Sequence, residues 1–329
     1  MANQLAECEN FKIIIYCWKS NNKVHWGNWN DNIKIRVLPF LKYYQRESSK
    51  FFYYFWIKKD NPFCVLLNFL YHGESFLPSN LNYIYILHSP ASQVPKRYDY
   101  IKNRICKFKN MTFVAVSNFV KDQALKYMPK KNIKVIYNAV DINFFRPKDI
   151  LKNKNLKLIT LSALEKRKRI QNVILAIKQI NDPNIFYDIF GEGPYKDEII
   201  NMIKRYKLQN QIKLMGVSNF PEKCLIEYNV FILLSKGEAF PIAPLEAMSC
   251  GLPVLVSNEK PYDEFISEKY GILINPNSQK DIMDAILKMK IESTRVKLGS
   301  EARNMISKSF SLEIMKQKYL ELILSFKSK

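Results

Sequence analysis

The second half of the chain carries the pattern that most limits its fold. From residue 156 onward, short apolar runs alternate with longer segments whose apolar residues recur at helical spacing. Alternation of this kind is typical of βα units that build a parallel sheet. The strand-like runs are LKLITL (156–161), NIFYDIF (184–190), QIKLMG (211–216), NVFILLS (229–235) and LPVLVS (252–257), and the amphipathic segments are RIQNVILAIKQI (169–180) and YKDEIINMIKRYKL (195–208).

The first half repeats this alternation less regularly. A chain of 329 residues can form two domains of about 150 residues, each with its own core. We therefore predict an α/β chain with two doubly wound, Rossmann-like domains. In the first half, helical patterns lie at about 96–108 and 118–128, and the strand-like runs are FKIIIYCW (11–18), NIKIRVLPF (32–40), CVLLNFL (64–70), NYIYILH (82–88), TFVAVS (112–117) and IKVIYN (133–138).

A polar stretch separates the two halves. RPKDILKNKNLK (146–157) breaks the periodicity between strand-rich regions, which places the domain boundary near Pro147. The predicted domains are residues 1–147 and 148–310. The last segment, 311–329, is predicted to be a closing helix that returns toward the first domain, with a Ser at its N-cap.

The chain is strongly basic, mainly in its first half. The net charge is +21, and residues 1–150 hold 23 Lys and Arg against 10 Asp and Glu. A basic face favours an anionic partner, namely an acidic membrane surface, a phosphorylated substrate or nucleic acid. The alternative is compositional drift, because Lys, Asn and Ile are abundant throughout the chain.

Hydropathy and cysteine spacing bear on localisation. No run reaches the roughly 18 apolar residues of a membrane span, and the N-terminus lacks the basic start and cleavage site of a signal peptide. The 6 cysteines form no CxxC pair and have no His partners at metal spacing. We expect a cytoplasmic chain with reduced thiols and no metal site.

The stretch GEAFPIAPLEAMSCGLPVLVS (237–257) sets Glu238 and Glu246 eight positions apart. Glu238 follows a predicted strand, at the end where doubly wound sheets bind ligands. Pro244 and the Gly-Leu-Pro that follows predict a short helix at 244–250, whose N-terminal amides suit a phosphate or diphosphate. Carboxylates that bind hydroxyls beside a diphosphate describe a nucleotide sugar. The alternative is a solvated loop glutamate and a second glutamate that only favours a helix N-terminus.

This stretch resembles the E-x7-E signature of family 4 retaining glycosyltransferases, which have the GT-B fold and use nucleotide-activated sugars. The resemblance covers about residue 82 to the end and implies two Rossmann-like domains that face a central cleft. Further segments resemble the family in its order: FVAVSNFVKDQAL (113–125), IKVIYNAVDINFFRP (133–147), LEKRKRIQNVILAI (164–177), FGEGPYKDEI (190–199) and IKLMGVS (212–218).

The resemblance implies a role for each residue of the E-x7-E stretch. Glu238 would act in catalysis by contacting the donor-sugar hydroxyls, and Glu246 would bind the ribose hydroxyls. The backbone amides of Ala239, Phe240 and Ile242 would meet the diphosphate, whereas the proline between them has no N–H to donate.

The basic segment EKRKR is implied to neutralise the same diphosphate. Lys168 matches the family's lysine, and Arg169 stands beside it. The family usually has an arginine where this chain has Ala163, which leaves the clamp incomplete unless Lys166, Arg167 or Arg169 substitutes. The alternative is a solvated basic helix start.

Other matched residues would line the same site. His88, at the end of a predicted strand, matches the family's active-site histidine near the reacting sugar. Gly191 and Gly193 would let the chain turn close to the ligand, and Gly216 with Val217 resembles the stretch that lines the base. Taken singly, such a histidine is more often a satisfied polar group, and glycine is common in turns.

The resulting hypothesis is a retaining glycosyltransferase of the hexosyltransferase type. It would move a sugar from a nucleotide-sugar donor, UDP- or GDP-linked, to a glycan or lipid-linked acceptor in cell-surface polysaccharide, lipopolysaccharide or glycolipid synthesis. The donor is a substrate, and no cofactor is expected. The matched region holds no D-x-D, which fits a reaction without a metal.

The acceptor side departs from the family. Its Gly-rich loop is replaced by KSNNKVHWGNWND (19–31), which has a single glycine. Aromatic and basic residues mixed at 41–59 and 96–110 suit peripheral docking on the inner face of an anionic membrane, or else the aromatic residues are core. Two other hypotheses stay open: a non-catalytic GT-B protein that binds a sugar nucleotide, and a nucleic-acid-binding protein, against which the acidic pair argues.

Overall fold

The computed structural model describes residues 12–18, 33–38, 55–68, 77–147 and 155–327. Three segments interpreted from the sequence lie wholly or largely outside the described residues. They are the loop at 19–31, most of the stretch 41–59 and most of the linker 146–157. In the part of the chain that the structure describes, no helix is both long enough and apolar enough to cross a membrane.

The chain divides into two compact units. Unit 1 comprises the chain up to Tyr137 together with Leu312 onward, and unit 2 comprises Asn138–Ser311. The sequence places the boundary near Pro147, whereas contacts group residues 138–147 with unit 2.

Unit 1 is built from parallel strands. The strands β1 (Ile13–Trp18) and β2 (Ile33–Leu38) pair with each other. A second sheet has the order β3 (Cys64–Asn68), β4 (Asn82–Leu87), β5 (Met111–Ala115) and β6 (Ile133–Val135). Between these strands lie the helices α1 (Pro95–Asn103) and α2 (Asn118–Leu125).

Unit 2 is a doubly wound domain around one parallel sheet. Its strands are β7 (Leu156–Leu161), β8 (Ile185–Phe190), β9 (Ile212–Gly216), β10 (Val230–Leu233), β11 (Val254–Ser257) and β12 (Gly271–Ile274), in the spatial order β12-β11-β10-β7-β8-β9. The helices are α3 (Ile170–Ile180), α4 (Lys196–Arg205), α5 (Pro221–Leu225), α6 (Ile242–Ser249), α7 (Gln279–Lys288) and α8 (Glu292–Ser309).

The strand order of unit 2 reverses between β7 and β10. From β7, the chain builds outward through β8 and β9, then returns to the other side of β7 to add β10, β11 and β12. In open parallel sheets, ligands bind beyond the carboxyl ends of the strands at such a reversal. The fold therefore points to the loops after β7 and β10.

The core of unit 2 explains why these runs form strands. All four residues of β10 and of β11 are buried, as expected for central strands covered on both faces. Helix α3 packs its apolar stripe, including Val173, Ile174 and Ile177, into the same cluster. The continuous apolar runs of the sequence are thus buried parallel strands.

The chain enters and leaves unit 2 at neighbouring points. The amide of Val140 donates to the carbonyl of Phe310 at 3.0 Å, and Val140 forms a parallel bridge with Ser311. The Arg303 guanidinium donates to the carbonyls of Ile142 at 2.8 Å and Phe145 at 3.0 Å. These bonds hold residues 138–147 in unit 2.

The closing helix α9 (Leu312–Leu324) belongs to unit 1. It buries Tyr319, Leu322 and Ile323. The Lys318 ammonium lies 6.0 Å from the ring centroid of Tyr137, within unit 1.

Candidate functional site

The turn after β7 and the loop after β10 meet through ion pairs. The Lys168 Nζ donates to Glu238 Oε1 at 2.7 Å, and the Arg167 Nη1 donates to the same oxygen at 3.1 Å. The side chains of Lys168 and Glu238 are 10% and 13% exposed, whereas that of Arg167 is 41% exposed. One carboxylate oxygen is thus shared by two cations at the strand-order reversal.

Backbone contacts fix this junction. Lys166–Lys168 form a turn of 3₁₀ helix, and the amide of Lys236 donates to the carbonyl of Arg167 at 2.9 Å. The Arg167 Nε also binds Glu165 Oε2 at 2.5 Å. The turn and the loop are therefore joined by main chain as well as by charge.

Arg169 has a different role from its two basic neighbours. It takes the left-handed conformation, with φ of 54°, and ends the turn, so that α3 begins one residue later than the predicted segment. Its Nη1 donates to Glu259 Oε1 at 2.7 Å, and its side chain is 14% exposed. This ion pair holds Arg169 against the loop after β11.

The helix α6 begins behind this loop. It starts at Ile242, two residues before the Pro244 that the sequence suggests as its first residue, and Pro241 is its N-cap. Helical bonding leaves the first-turn amides of Ile242 and Ala243 without partners inside the helix, and no side chain caps them. Such amides, with the helix dipole, attract an anion.

Phe240 anchors the loop to the interior of unit 2. Its ring is buried against Phe265 and Phe310, at centroid distances of 4.9 Å and 5.5 Å. Asn138 Nδ2 donates to the Phe240 carbonyl at 2.9 Å. The contacts of the Ala239, Phe240 and Ile242 amides with a diphosphate stay predictions.

Glu246, on α6, is a partly buried carboxylate. It makes no hydrogen bond or ion pair with any residue in the described part of the chain. Burial raises its pKa to about 7. A carboxylate of this kind can accept hydrogen bonds from ligand hydroxyls.

Two of the predicted glycines are required by close main-chain packing. An added Cβ at Gly191 would lie 1.9 Å from the Ser162 carbonyl oxygen, and one at Gly193 would lie 2.4 Å from that of Leu164. Both glycines let the segment after β8 press against the turn after β7. This packing supports the turn whether or not a ligand touches the glycines.

The stretch after β9 is more open. Gly216 has φ of 71°, and Val217 is 67% exposed. Phe220, which the sequence reasoning did not single out, is also exposed, with the Lys223 ammonium 4.6 Å from its ring centroid. Two exposed apolar side chains beside a sheet edge suit a flat ligand group, and the role of this stretch in base binding stays a prediction.

His88 lies in unit 1, directly after β4. Its Nε2 bonds with Asn68 Oδ1, at the end of the neighbouring strand β3. Burial lowers the pKa of His88, and the positive charge of Arg97 lowers it further. The imidazole is therefore mostly neutral at pH 7, and its role near a reacting sugar stays a prediction.

The sequence did not indicate Glu259, and it left Lys166, Arg167 and Arg169 as candidates for the cation that Ala163 does not supply. Glu259 follows β11, so the rule that ligands and polar groups gather at carboxyl strand ends could have indicated it. Ala163 is exposed and lies in the turn after β7. Among the described residues, no group of three or more His, Cys, Asp and Glu side chains could hold a metal ion.

Comparison with known proteins places this site in a family context. Residues 141–305 match the family model described as glycosyl transferases group 1, which covers half of the chain and nearly all of unit 2. The matched region contains the Lys168–Glu238 pair and Glu246.

Two curated relatives are similar over part of their length. Poly(ribitol-phosphate) alpha-N-acetylglucosaminyltransferase of Staphylococcus aureus (strain COL) is 31% identical over 169 residues, which cover 49% of this chain and 34% of the relative. N-acetyl-alpha-D-glucosaminyl L-malate synthase of Bacillus anthracis is 26% identical over 202 residues, which cover 58% of this chain and 53% of the relative. The chain thus spans about half or less of the length of these relatives.

A solved structure matches nearly the whole chain. Anabaena HepE in complex with UDP has a TM-score of 0.80 at 17% identity, covering 95% of this chain and 100% of that one. Together with similar matches to other solved structures, it confirms the predicted GT-B class of α/β fold with Rossmann-like domains.

Proposed function

Because the chain belongs to the glycosyl transferases group 1, we propose that it transfers a sugar from a nucleotide-sugar donor to a glycan or lipid-linked acceptor. The observation that carries the proposal is the contact of Lys168 with Glu238, at 2.7 Å, where the strand order of unit 2 reverses. The α6 N-terminus follows in the same loop, so cations, backbone amides and a carboxylate come from adjoining segments of one sheet edge.

Each donor group has a matching protein group in this proposal. The diphosphate lies against Lys168 and the amides of Ala239, Phe240 and Ile242, which oppose its charge. Glu238 turns from its cations to the sugar hydroxyls when the donor binds. Glu246, which has no partner among the described side chains, accepts hydrogen bonds from the ribose hydroxyls.

The proposed reaction retains the configuration of the anomeric carbon, as in family 4. The acceptor hydroxyl oxygen forms a bond to that carbon while the carbon–oxygen bond to the diphosphate breaks, and the departing diphosphate takes the hydroxyl proton. Negative charge grows on the leaving group, so fixed cations and amides stabilise the transition state more than the ground state. Lys168 and the α6 amides can do this without a metal.

The acceptor is proposed to be a glycan or lipid-linked saccharide of the cell surface. The names of two relatives support this class: the Staphylococcus aureus protein is a poly(ribitol-phosphate) alpha-N-acetylglucosaminyltransferase, and an Escherichia coli relative is an O-antigen biosynthesis glycosyltransferase. Helix α1 is basic, with exposed Lys96 and Lys102, and supports peripheral association with an anionic membrane from the cytoplasmic side.

A second candidate is a protein that binds a sugar nucleotide without transferring the sugar. One observation favours it: at position 163, where the family usually has an arginine, this chain has an exposed alanine methyl. A missing cation would weaken stabilisation of the leaving group more than it would weaken binding.

Calorimetric titration with UDP, GDP and ADP, and then with their sugar conjugates, tests the donor site. UDP comes first, because the HepE structure holds it. We expect one nucleotide to bind, and Glu246→Ala to lose that binding while the exposed Glu268→Ala, in the same unit, retains it. Failure of the wild-type chain to bind any of them would contradict the proposal.

Sugar release from the bound donor then separates the two candidates. A transferase releases the nucleoside diphosphate slowly when water takes the sugar and faster when an acceptor takes it. Glu238→Gln should lower the rate of this release about 100-fold, because the sugar is no longer held in position. Binding with no release under either condition would favour the non-catalytic candidate.

A further inference from the structure

Arg167 shares a carboxylate oxygen with Lys168, and this arrangement has a consequence for the donor. Both cations bind Glu238 Oε1, at 3.1 Å and 2.7 Å. The Arg167 Nε also binds Glu165 Oε2 at 2.5 Å, so the two cations of this junction face two carboxylates. The Nη1 that contacts Glu238 is the part of the guanidinium that a diphosphate oxygen can take over when Glu238 turns to the sugar.

We propose that Arg167 is a direct ligand of the donor diphosphate and supplies the cation that is absent at Ala163. The inference rests on the proposed function, because Glu238 is the residue assigned to the donor sugar. That sugar is joined to the distal phosphate of the diphosphate. A guanidinium that touches Glu238 is therefore placed beside the distal phosphate rather than the one next to the ribose.

Exposure and bonding distinguish Arg167 from the other two basic candidates. The Arg169 side chain is 14% exposed and is held by Glu259 at 2.7 Å, which commits it to the protein. Lys166 is exposed, and among the described residues the ion-pair partners of Glu238 are Arg167 and Lys168, not Lys166. Arg167 is also paired, with Glu165, but both side chains of that pair are about 40% exposed, and its Nη1 contacts Glu238, so it can exchange a carboxylate oxygen for a phosphate oxygen.

Lys236 anchors both the main chain and the side chain of Arg167. The Arg167 carbonyl accepts from the Lys236 amide at 2.9 Å, and the Arg167 Nη1 donates to the Lys236 carbonyl oxygen at 3.4 Å. Anchoring limits the rotamer freedom that binding would otherwise remove. A guanidinium also presents a planar pair of donors that suits two phosphate oxygens.

Nucleotide titration of Arg167→Ala tests the inference, with Lys166→Ala as the matched control from the same turn. We expect Arg167→Ala to bind the nucleoside diphosphate about tenfold more weakly than wild type, from loss of a charge-assisted bond. Affinity for the nucleoside monophosphate should change less than twofold, because it lacks the distal phosphate. Lys166→Ala should match wild type for both ligands.

A double mutant separates direct contact from an indirect effect through Glu238. If Arg167 acts only by neutralising that carboxylate, its removal should have no effect in a Glu238→Gln background. We expect the tenfold loss to persist there, and its disappearance would overturn the inference. Arg167→Gln serves as a second variant should the alanine protein fail to fold.

Two negative results would have different meanings. Equal diphosphate affinity of Arg167→Ala and Lys166→Ala would overturn the role of Arg167 and leave the proposed function intact. Absence of nucleotide binding by the wild-type chain would remove the proposed function and this inference together.

Discussion

The two glutamates of the E-x7-E stretch differ in their surroundings. Glu238 is already paired with Lys168 and Arg167, whereas burial raises the pKa of Glu246 to about 7. The sequence predicts both carboxylates, because their spacing is local. It gives no partner for either, since Lys168 is 70 positions away and only the fold brings it to Glu238.

The pKa of Glu246 predicts how donor binding depends on pH. Burial raises the pKa of Glu246 from the usual value of 4.5 to about 7, so this carboxyl is mostly protonated below pH 7 when no donor is bound. Ribose hydroxyls bind better to its ionised form. Affinity for a nucleotide sugar should therefore rise roughly fivefold to tenfold from pH 6 to pH 8. Calorimetry with a sugar conjugate is suitable, because its diphosphate diester does not titrate in this range.

Glu246→Gln is the control for this pH dependence. The amide keeps the shape and cannot ionise, so its affinity should stay flat over the same range. An equal rise in the Gln variant would assign the titration to another group.

Local sequence signals locate the helices of unit 2 but miss some of their ends. The predicted α3 segment includes Arg169, yet this residue is left-handed and caps the helix, and its guanidinium binds Glu259, 90 positions away. The α6 helix begins at Ile242 because Pro241 is extended, with ψ of 133°, and already serves as the cap. Both differences come from contacts and dihedrals that periodicity does not encode.

Glycine packing at the turn after β7 gives a stability prediction. In Gly193→Ala, the new Cβ would lie 2.4 Å from the Leu164 carbonyl oxygen and 2.7 Å from its amide nitrogen, so main chain must move. We expect a loss of about 2 kcal/mol or more in the free energy of unfolding, measured with denaturant. Nucleotide affinity should fall too, since the moving segment carries Lys168.

Gly216→Ala provides the comparison. Its nearest neighbour, Glu192 Oε1, would be 4.0 Å from the new Cβ, so the cost comes from the left-handed φ of 71° alone, about 1 kcal/mol. A larger loss in this variant than in Gly193→Ala would contradict the packing argument.

At the scale of the whole molecule, hydrophobic periodicity predicts two α/β halves, but it does not predict the residue at which one half ends and the next begins. The polar run beginning at Arg146 suggests a boundary near Pro147, whereas Arg303 binds the carbonyls of Ile142 and Phe145 from far along the chain. A bond between a late helix and an early loop leaves no periodic signal in either segment.

The division into two units predicts which peptides a bound nucleoside diphosphate protects from hydrogen exchange. Hydrogen exchange should slow in peptides covering 164–170 and 236–246 of unit 2, because ligand binding to the native state suppresses their opening. Peptides from β4 and β5 of unit 1 should exchange at unchanged rates. Protection as strong in those strands would place the nucleotide elsewhere.

The bridge between Val140 and Ser311 makes unit 2 a closed insertion in the chain. A segment whose two ends lie side by side can be exchanged between genes without redirecting the flanking chain. Residues 138–311 can therefore be replaced as one piece, while unit 1 diversifies on its own.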